Sequence, residues 1–211
     1  MPKAKGTPGF QDPNAKKAAV MTRKTWAQLT KPEASFSGKT KALAAIKKLG
    51  ANEEKAALLC DAEGFKELER LLRIGYVQED DDLSVAALQA AHPLMKHAPC
   101  RELFASFCDP GCFGSFLRAD TVVRDRDGDP YALPALLALE CLLVLTAEPF
   151  QKNCESLATD GSTLRLVMDM TTTCCEAVRA AAAGVLCNVA KYSVGQDAIM
   201  TVQTDAPVSL M

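Results

Sequence analysis

The chain has 211 residues, of which 48% are hydrophobic, 24% charged and only 6% aromatic, with a net charge of −2. It contains no apolar run long enough for a membrane span, and its N-terminus lacks the apolar stretch of a secretory signal, so a cytoplasmic protein is expected. Ala and Leu carry the apolar content, which favours helices over strands.

The charge is divided unevenly. Residues 1–41 hold nine basic and two acidic residues, a net +7, and the remaining 15 basic and 24 acidic residues leave residues 42–211 at −9. Pro2, Gly6, Pro8, Gly9 and Pro13 crowd the beginning, so residues 1–37 are read as a basic, mostly disordered arm with a candidate helix over 14–31. Trp26, the single tryptophan, is expected to pack on the body rather than to anchor a partner. An arm of this charge would suit an acidic partner such as nucleic acid or an acidic protein tail.

From Gly38 the apolar pattern becomes cyclic. Helices are expected over Thr40–Leu49, Glu53–Ala62 and Phe65–Leu72. The next cycle has Leu83–His97, Cys100–Cys108 and Phe113–Ala119, and the third has Pro134–Ala147, Gln151–Ala158 and Thr163–Met170. The last has Cys174–Lys191, Gly195–Val202 and a short Val208–Met211. The breaks at Gly64, Gly111, Gly161 and Ala206 are 47, 50 and 45 residues apart. Glycine suits such breaks because helices end readily on a left-handed residue. The expected units span about 38–73, 82–119, 130–170 and 174–211, and none could bury its apolar face alone.

The C-terminal unit resembles an armadillo repeat. Arg179, the run Ala180–Ala183 and Leu186-Cys187-Asn188-Val189 match the family's third helix, and Gln196-Asp197-Ala198-Ile199 matches the short helix that follows. The resemblance is clearest over 134–211. It implies an all-α, right-handed solenoid of about four armadillo- or HEAT-like three-helix units behind the basic arm. It also implies a protein–protein interaction scaffold or adaptor that binds an extended or helical segment on its concave face. The residues expected to line that face are Lys48, Gln89, Lys96, Glu140, Val144, Arg179, Asn188 and Lys191. In the family an asparagine at the place of Asn188 holds the backbone of a peptide. The alternative for Asn188 is a structural hydrogen bond to the adjacent unit. Nuclear-import adaptors of the family carry a Trp where this chain has Gly184, which argues against lysine-binding pockets. Other readings are a crescent that grips a folded partner domain, as chaperone regulators do, or a binder of nucleic acid or tubulin tails through the arm. The apolar end at Val208, Leu210 and Met211 suggests a fragment or a docking face for another subunit.

No catalytic residue, metal or cofactor is expected. The nine cysteines read mostly as reduced, buried thiols. Cys108-x-x-x-Cys112 with His92 and His97 has no second paired motif for zinc. Asp125–Asp129 fails as a calcium loop because Pro130 and Leu136 occupy the places of its Gly and Glu. The acidic run Glu79–Asp82 reads as a solvated loop that favours the start of the following helix.

Overall fold

A computed structural model describes residues 13–74, 81–117, 134–173 and 175–204. Helix α1 is Pro13–Thr30, α2 Phe36–Gly50, α3 Glu53–Ala57 and α4 Ala62–Ile74. Then come α5 (Asp81–Met95), α6 (Ala98–Phe107) and a 3-10 helix, Pro110–Phe116. The second half holds α7 (Pro134–Thr146), α8 (Gln151–Asp160), α9 (Ser162–Met170), α10 (Glu176–Val189) and α11 (Ser193–Thr204). Among the described residues the structure is all-helical, with no strand. The acidic run before Asp81, the stretch 125–129 and the C-terminal stretch 206–211 lie outside the described residues.

Local chemistry sets the ends of these helices. Ser35 caps α2 by accepting from the Gly38 N–H, and Lys47 and Lys48 occupy its last turn, where the helix dipole favours cations. Asn52 caps α3 ahead of Glu53 and Glu54. Asp61 and Asp160 each accept from the backbone N–H three residues on, Gly64 and Thr163 respectively.

A long helix followed by two shorter ones is the recurring order. The long helices pack on one another in sequence order, α2 on α5, α5 on α7 and α7 on α10. The shorter elements form a second layer behind them: α4 packs on α5 and the 3-10 helix, the 3-10 helix on α7, α8 and α9, and α9 on α10. Helix α7 lies between two long neighbours, and its sequence PALLALECLLVLT is apolar on nearly every side for that reason.

Two expectations need correction. The first concerns the arm. The candidate helix is present over 13–30 and Trp26 packs on the body as expected, with Leu29 beside it in the core (5% and 0% exposed); what changes is where the body begins. The Trp26 indole N–H donates to the Leu59 carbonyl at 3.1 Å, and its ring lies 5.8 Å from Phe65. The helical body therefore reaches back before residue 38, and that boundary falls inside α2. The second concerns the glycines. Gly64 lies inside α4 and Gly111 inside the 3-10 helix, so neither ends a helix. Gly161, with φ 58°, does make the expected left-handed break between α8 and α9. Gly64 is small for another reason: a Cβ there would meet the Trp26 ring at 2.4–2.8 Å.

The core runs through both layers without interruption. Its N-terminal part is a chain of rings: Trp26 on Phe65, Phe65 edge-on to Phe104 at 5.6 Å, and Phe104 beside Phe113 at 6.3 Å. Each such pair adds about 0.5–1.5 kcal/mol beyond burial. From α7 onward the buried residues are aliphatic or small, among them Leu139, Leu142, Leu157, Leu164, Val178, Ala182 and Val185.

Candidate partner-binding face

The long helices leave one side of their layer partly open. On α5 the incompletely buried positions are Val85, Ala86, Gln89, His92 and Pro93, followed by Lys96. On α7 they are Pro134, Leu137, Glu140, Leu143 and Val144; α10 is open more widely, with only Val178, Ala182, Val185 and Val189 buried, and its positions Ala177, Ala180, Ala181, Gly184, Cys187 and Asn188 continue the same side. Spacings of three and four residues put each set on one helical stripe.

Side-chain bridges join neighbouring long helices along this side. Lys47 on α2 donates to Gln89 on α5 at 2.9 Å. His92 on α5 meets Glu140 on α7 at 2.5 Å, its Nε2–H donating to the carboxylate. Asn188 on α10 donates its amide N–H to the Leu143 carbonyl at 3.2 Å and to Thr146 Oγ1 at 3.3 Å, both on α7. His97, just after α5, reaches back and donates to the Gly50 carbonyl at the end of α2, at 2.7 Å.

Between α5 and α7 lies a 290 Å³ cavity lined by His92, Met95, Lys96, Glu140, Leu143 and Val144. Its wall combines an apolar strip with one carboxylate, one imidazole and one ammonium. His92 is only 17% exposed and Glu140 42%. Burial pulls the His92 pKa below its ordinary value; the hydrogen bond to Glu140 works against this, and Lys96 and Lys47 add to the lowering. The imidazole is therefore mostly neutral near pH 7, and Glu140 is the more exposed member of the pair. Lys96 is exposed and makes no salt bridge among the described residues.

The structure sorts the eight expected face residues into groups. Lys96, Glu140 and Val144 share the cavity. Gln89 lies one turn before His92 on the same stripe, bound to Lys47. Asn188 spends its amide N–H on α7, the structural alternative. Lys191 is exposed, 3.6 Å from the exposed Glu148, and such a pair contributes little. Lys48 is exposed on α2, while its neighbour Lys47 makes the bridge. Arg179 lies away from the cavity, near the start of α10, where its guanidinium donates to the Thr173 carbonyl at 2.8 Å and ties the helix to the preceding turn. Sequence reasoning passed over His92, Met95 and Leu143. The i+3 step from Gln89 to His92 is the signal that the sequence carries for the histidine.

Other hollows offer less. A 430 Å³ hollow at the α1–α2 corner is lined by Lys24, Gln28, Lys31, Glu33 and small residues. On the short-helix side a 190 Å³ hollow adjoins Asp109. Both Asp109 oxygens there are taken, by the Gly111 N–H, Ser156 and Arg73. No group of three or more His, Cys, Asp or Glu residues that could hold a metal occurs among the described residues. No helix among them is long and apolar enough to cross a membrane.

No protein-family model matches the chain, and no curated protein does. Among solved structures, the crystal structure of an engineered protein from the Northeast Structural Genomics Consortium is similar in fold. It aligns with a TM-score of 0.62 at 14% identity, over 87% of this chain and 68% of that one. At that identity the likeness concerns the all-helical fold alone.

Proposed function

We propose that the chain is an interaction scaffold of armadillo-like solenoid type, and that the open side of its long-helix layer takes a segment of a partner protein. The observation that carries this reading is the α5–α7 cavity, where Met95, Leu143 and Val144 form an apolar strip between Lys96 and Glu140. An extended or helical segment with one apolar side chain flanked by polar groups fits such a strip. The bridges from α2 to α5, α5 to α7 and α7 to α10 support it further, because they hold the stripe in place before a partner arrives. Preorganisation of that kind lowers the ordering cost of binding. Gly184 supports a generic segment over the lysine tails taken by import adaptors, since even a Cβ there would meet Leu143 at 2.8 Å.

The reading is tested by selecting peptides from a displayed random library on the full chain. Val144→Arg and Lys96→Glu are expected to weaken the selected peptides by about tenfold or more, a loss of about 1.4 kcal/mol. Thr159→Lys, an exposed position on α8, is the control and leaves affinity unchanged. Peptides that bind Val144→Arg as tightly as the parent chain would remove the cavity from the site.

A further inference from the structure

Eight cysteines among the described residues carry free thiols, and four of them stand in close pairs. Cys60 Sγ lies 3.3 Å from Cys100 Sγ, and Cys108 Sγ lies 3.5 Å from Cys112 Sγ. The pairs differ in access. Cys108 and Cys112 are both buried, at 6% and 2% exposed. Cys100 is fully buried at the start of α6, but Cys60 is only partly buried in the connection between α3 and α4. The first pair is therefore the more open to solvent, since Cys108 shows only a small edge on the hollow beside Asp109 and Cys112 is enclosed. The thiols of the first pair come from separate elements 40 residues apart, and Cys100 also donates to the Ala56 carbonyl of α3 at 3.2 Å.

We propose that Cys60 and Cys100 form a thiol–disulfide exchange site that accepts a small-molecule disulfide of the glutathione class and closes into an intramolecular disulfide. The geometry assigns the two thiols different roles. Cys60 is the half with access, so its thiolate attacks one sulfur of the small disulfide. A Cys60–small-thiol bond forms, the small S–S bond breaks, and one thiolate leaves. Cys100 passes its proton to that departing thiolate and attacks the Cys60 sulfur. The Cys60–Cys100 bond forms as the second small thiol is released. Two protein thiols are oxidised, one small disulfide is reduced to two thiols, and atoms and electrons balance. The Cys100 thiol is held well above the ordinary thiol range, by burial first and by Cys60 second. The sulfurs need to approach by only roughly 1 Å to reach the disulfide length of about 2.05 Å. The bond would tie the α3–α4 connection to α6 and so fasten one long–short–short cycle to the next. This site is independent of the partner-binding reading.

The test uses the full chain incubated with glutathione disulfide, then alkylated, digested without reduction and read by mass spectrometry. The expected product is a peptide pair cross-linked through Cys60 and Cys100, with Cys108 and Cys112 recovered as free thiols after denaturation. Cys60→Ser is expected to abolish the cross-link, and Cys100→Ser to leave Cys60 trapped as the mixed disulfide. The proposal is overturned if Cys60 and Cys100 are recovered as free thiols, if the parent chain stops at the mixed disulfide, or if Cys108–Cys112 is the pair that forms.

Discussion

The two halves of the molecule fill the space between their helices differently, although each also seats a glycine against a leucine, Gly50 on Leu94 and Gly184 on Leu143. From α1 to the 3-10 helix, four rings run through the core, and Gly64 is small so that an indole can lie on it. From α7 to α11 the helices approach on small side chains, and Gly184 lies directly against Leu143. Rigid rings fix the spacing in the first half. Flexible aliphatic side chains leave room for adjustment in the second. The comparison teaches that similar cycles of helices can be held by cores with different tolerance to change.

The largest effect that tests this contrast comes from the ring chain. Trp26→Ala removes its first member and the hydrogen bond to Leu59, and is expected to cost about 3–5 kcal/mol in chemical denaturation. A cost under about 1 kcal/mol would mean that α1 is peripheral to the core. Next is Gly64→Ala, which presses a methyl group into the flat face of Trp26. Overpacking against a ring that cannot fold away is expected to cost about 1–3 kcal/mol.

Acid should loosen the first half through its carboxylates. Burial raises the pKa of Asp109, but the Gly111 N–H, Arg73 and Ser156 together take it below its ordinary value. Burial likewise raises Glu67, and Arg70 and Lys39 bring it below its ordinary value. A carboxylate with a depressed folded pKa stabilises the fold above its unfolded pKa and loses that contribution as pH falls through the folded value. The urea midpoint is therefore expected to drop as pH falls below about 4. His92 acts in the same direction at higher pH. Its folded pKa lies below the unfolded value, so protonation opposes folding as pH falls below about 6.5. Asp109→Asn is expected to flatten the lower part of this profile, and an unchanged profile would show that the carboxylate is not held by its partners.

The smallest effect belongs to Gly184→Ala. The contact it creates is with the far end of Leu143, which can rotate. Replacing a mid-helix glycine gains about 1 kcal/mol of helix propensity. The two terms nearly cancel, so denaturation midpoints should hardly move. A loss as large as that of Gly64→Ala would erase the distinction between the halves.

This contrast also explains what the residues revealed before any coordinates. The alanine run at 180–183 and Gly184 announce a closely approached helix, and the resemblance to a known repeat is clearest there. In the first half the same task falls to Trp26, Phe65, Phe104 and Phe113, which share no local spacing and meet only after folding. Apolar periodicity located the long helices to within a few residues. It places a helix over Phe113–Ala119 where the structure has a 3-10 helix at Pro110–Phe116, because Pro110, Gly111 and Gly114 in one short stretch disfavour a regular α-helix. The glycine rule succeeded at Gly161, which needs a positive φ, and failed at Gly64, where the requirement is room for a neighbour. Three of the expected face residues converge on one cavity because i+3 and i+4 steps put them on one stripe of their helices. The place of His92 on the face is not legible in local sequence because its partner, Glu140, is 48 residues away.

The most direct measurement is hydrogen exchange on the full chain with and without a selected peptide bound at saturation. Slowed exchange concentrated in α5 and α7, with α4, the 3-10 helix and α9 unchanged, is the predicted result. Protection confined to the short-helix layer would contradict the assignment of the open long-helix stripe as the place where a partner binds.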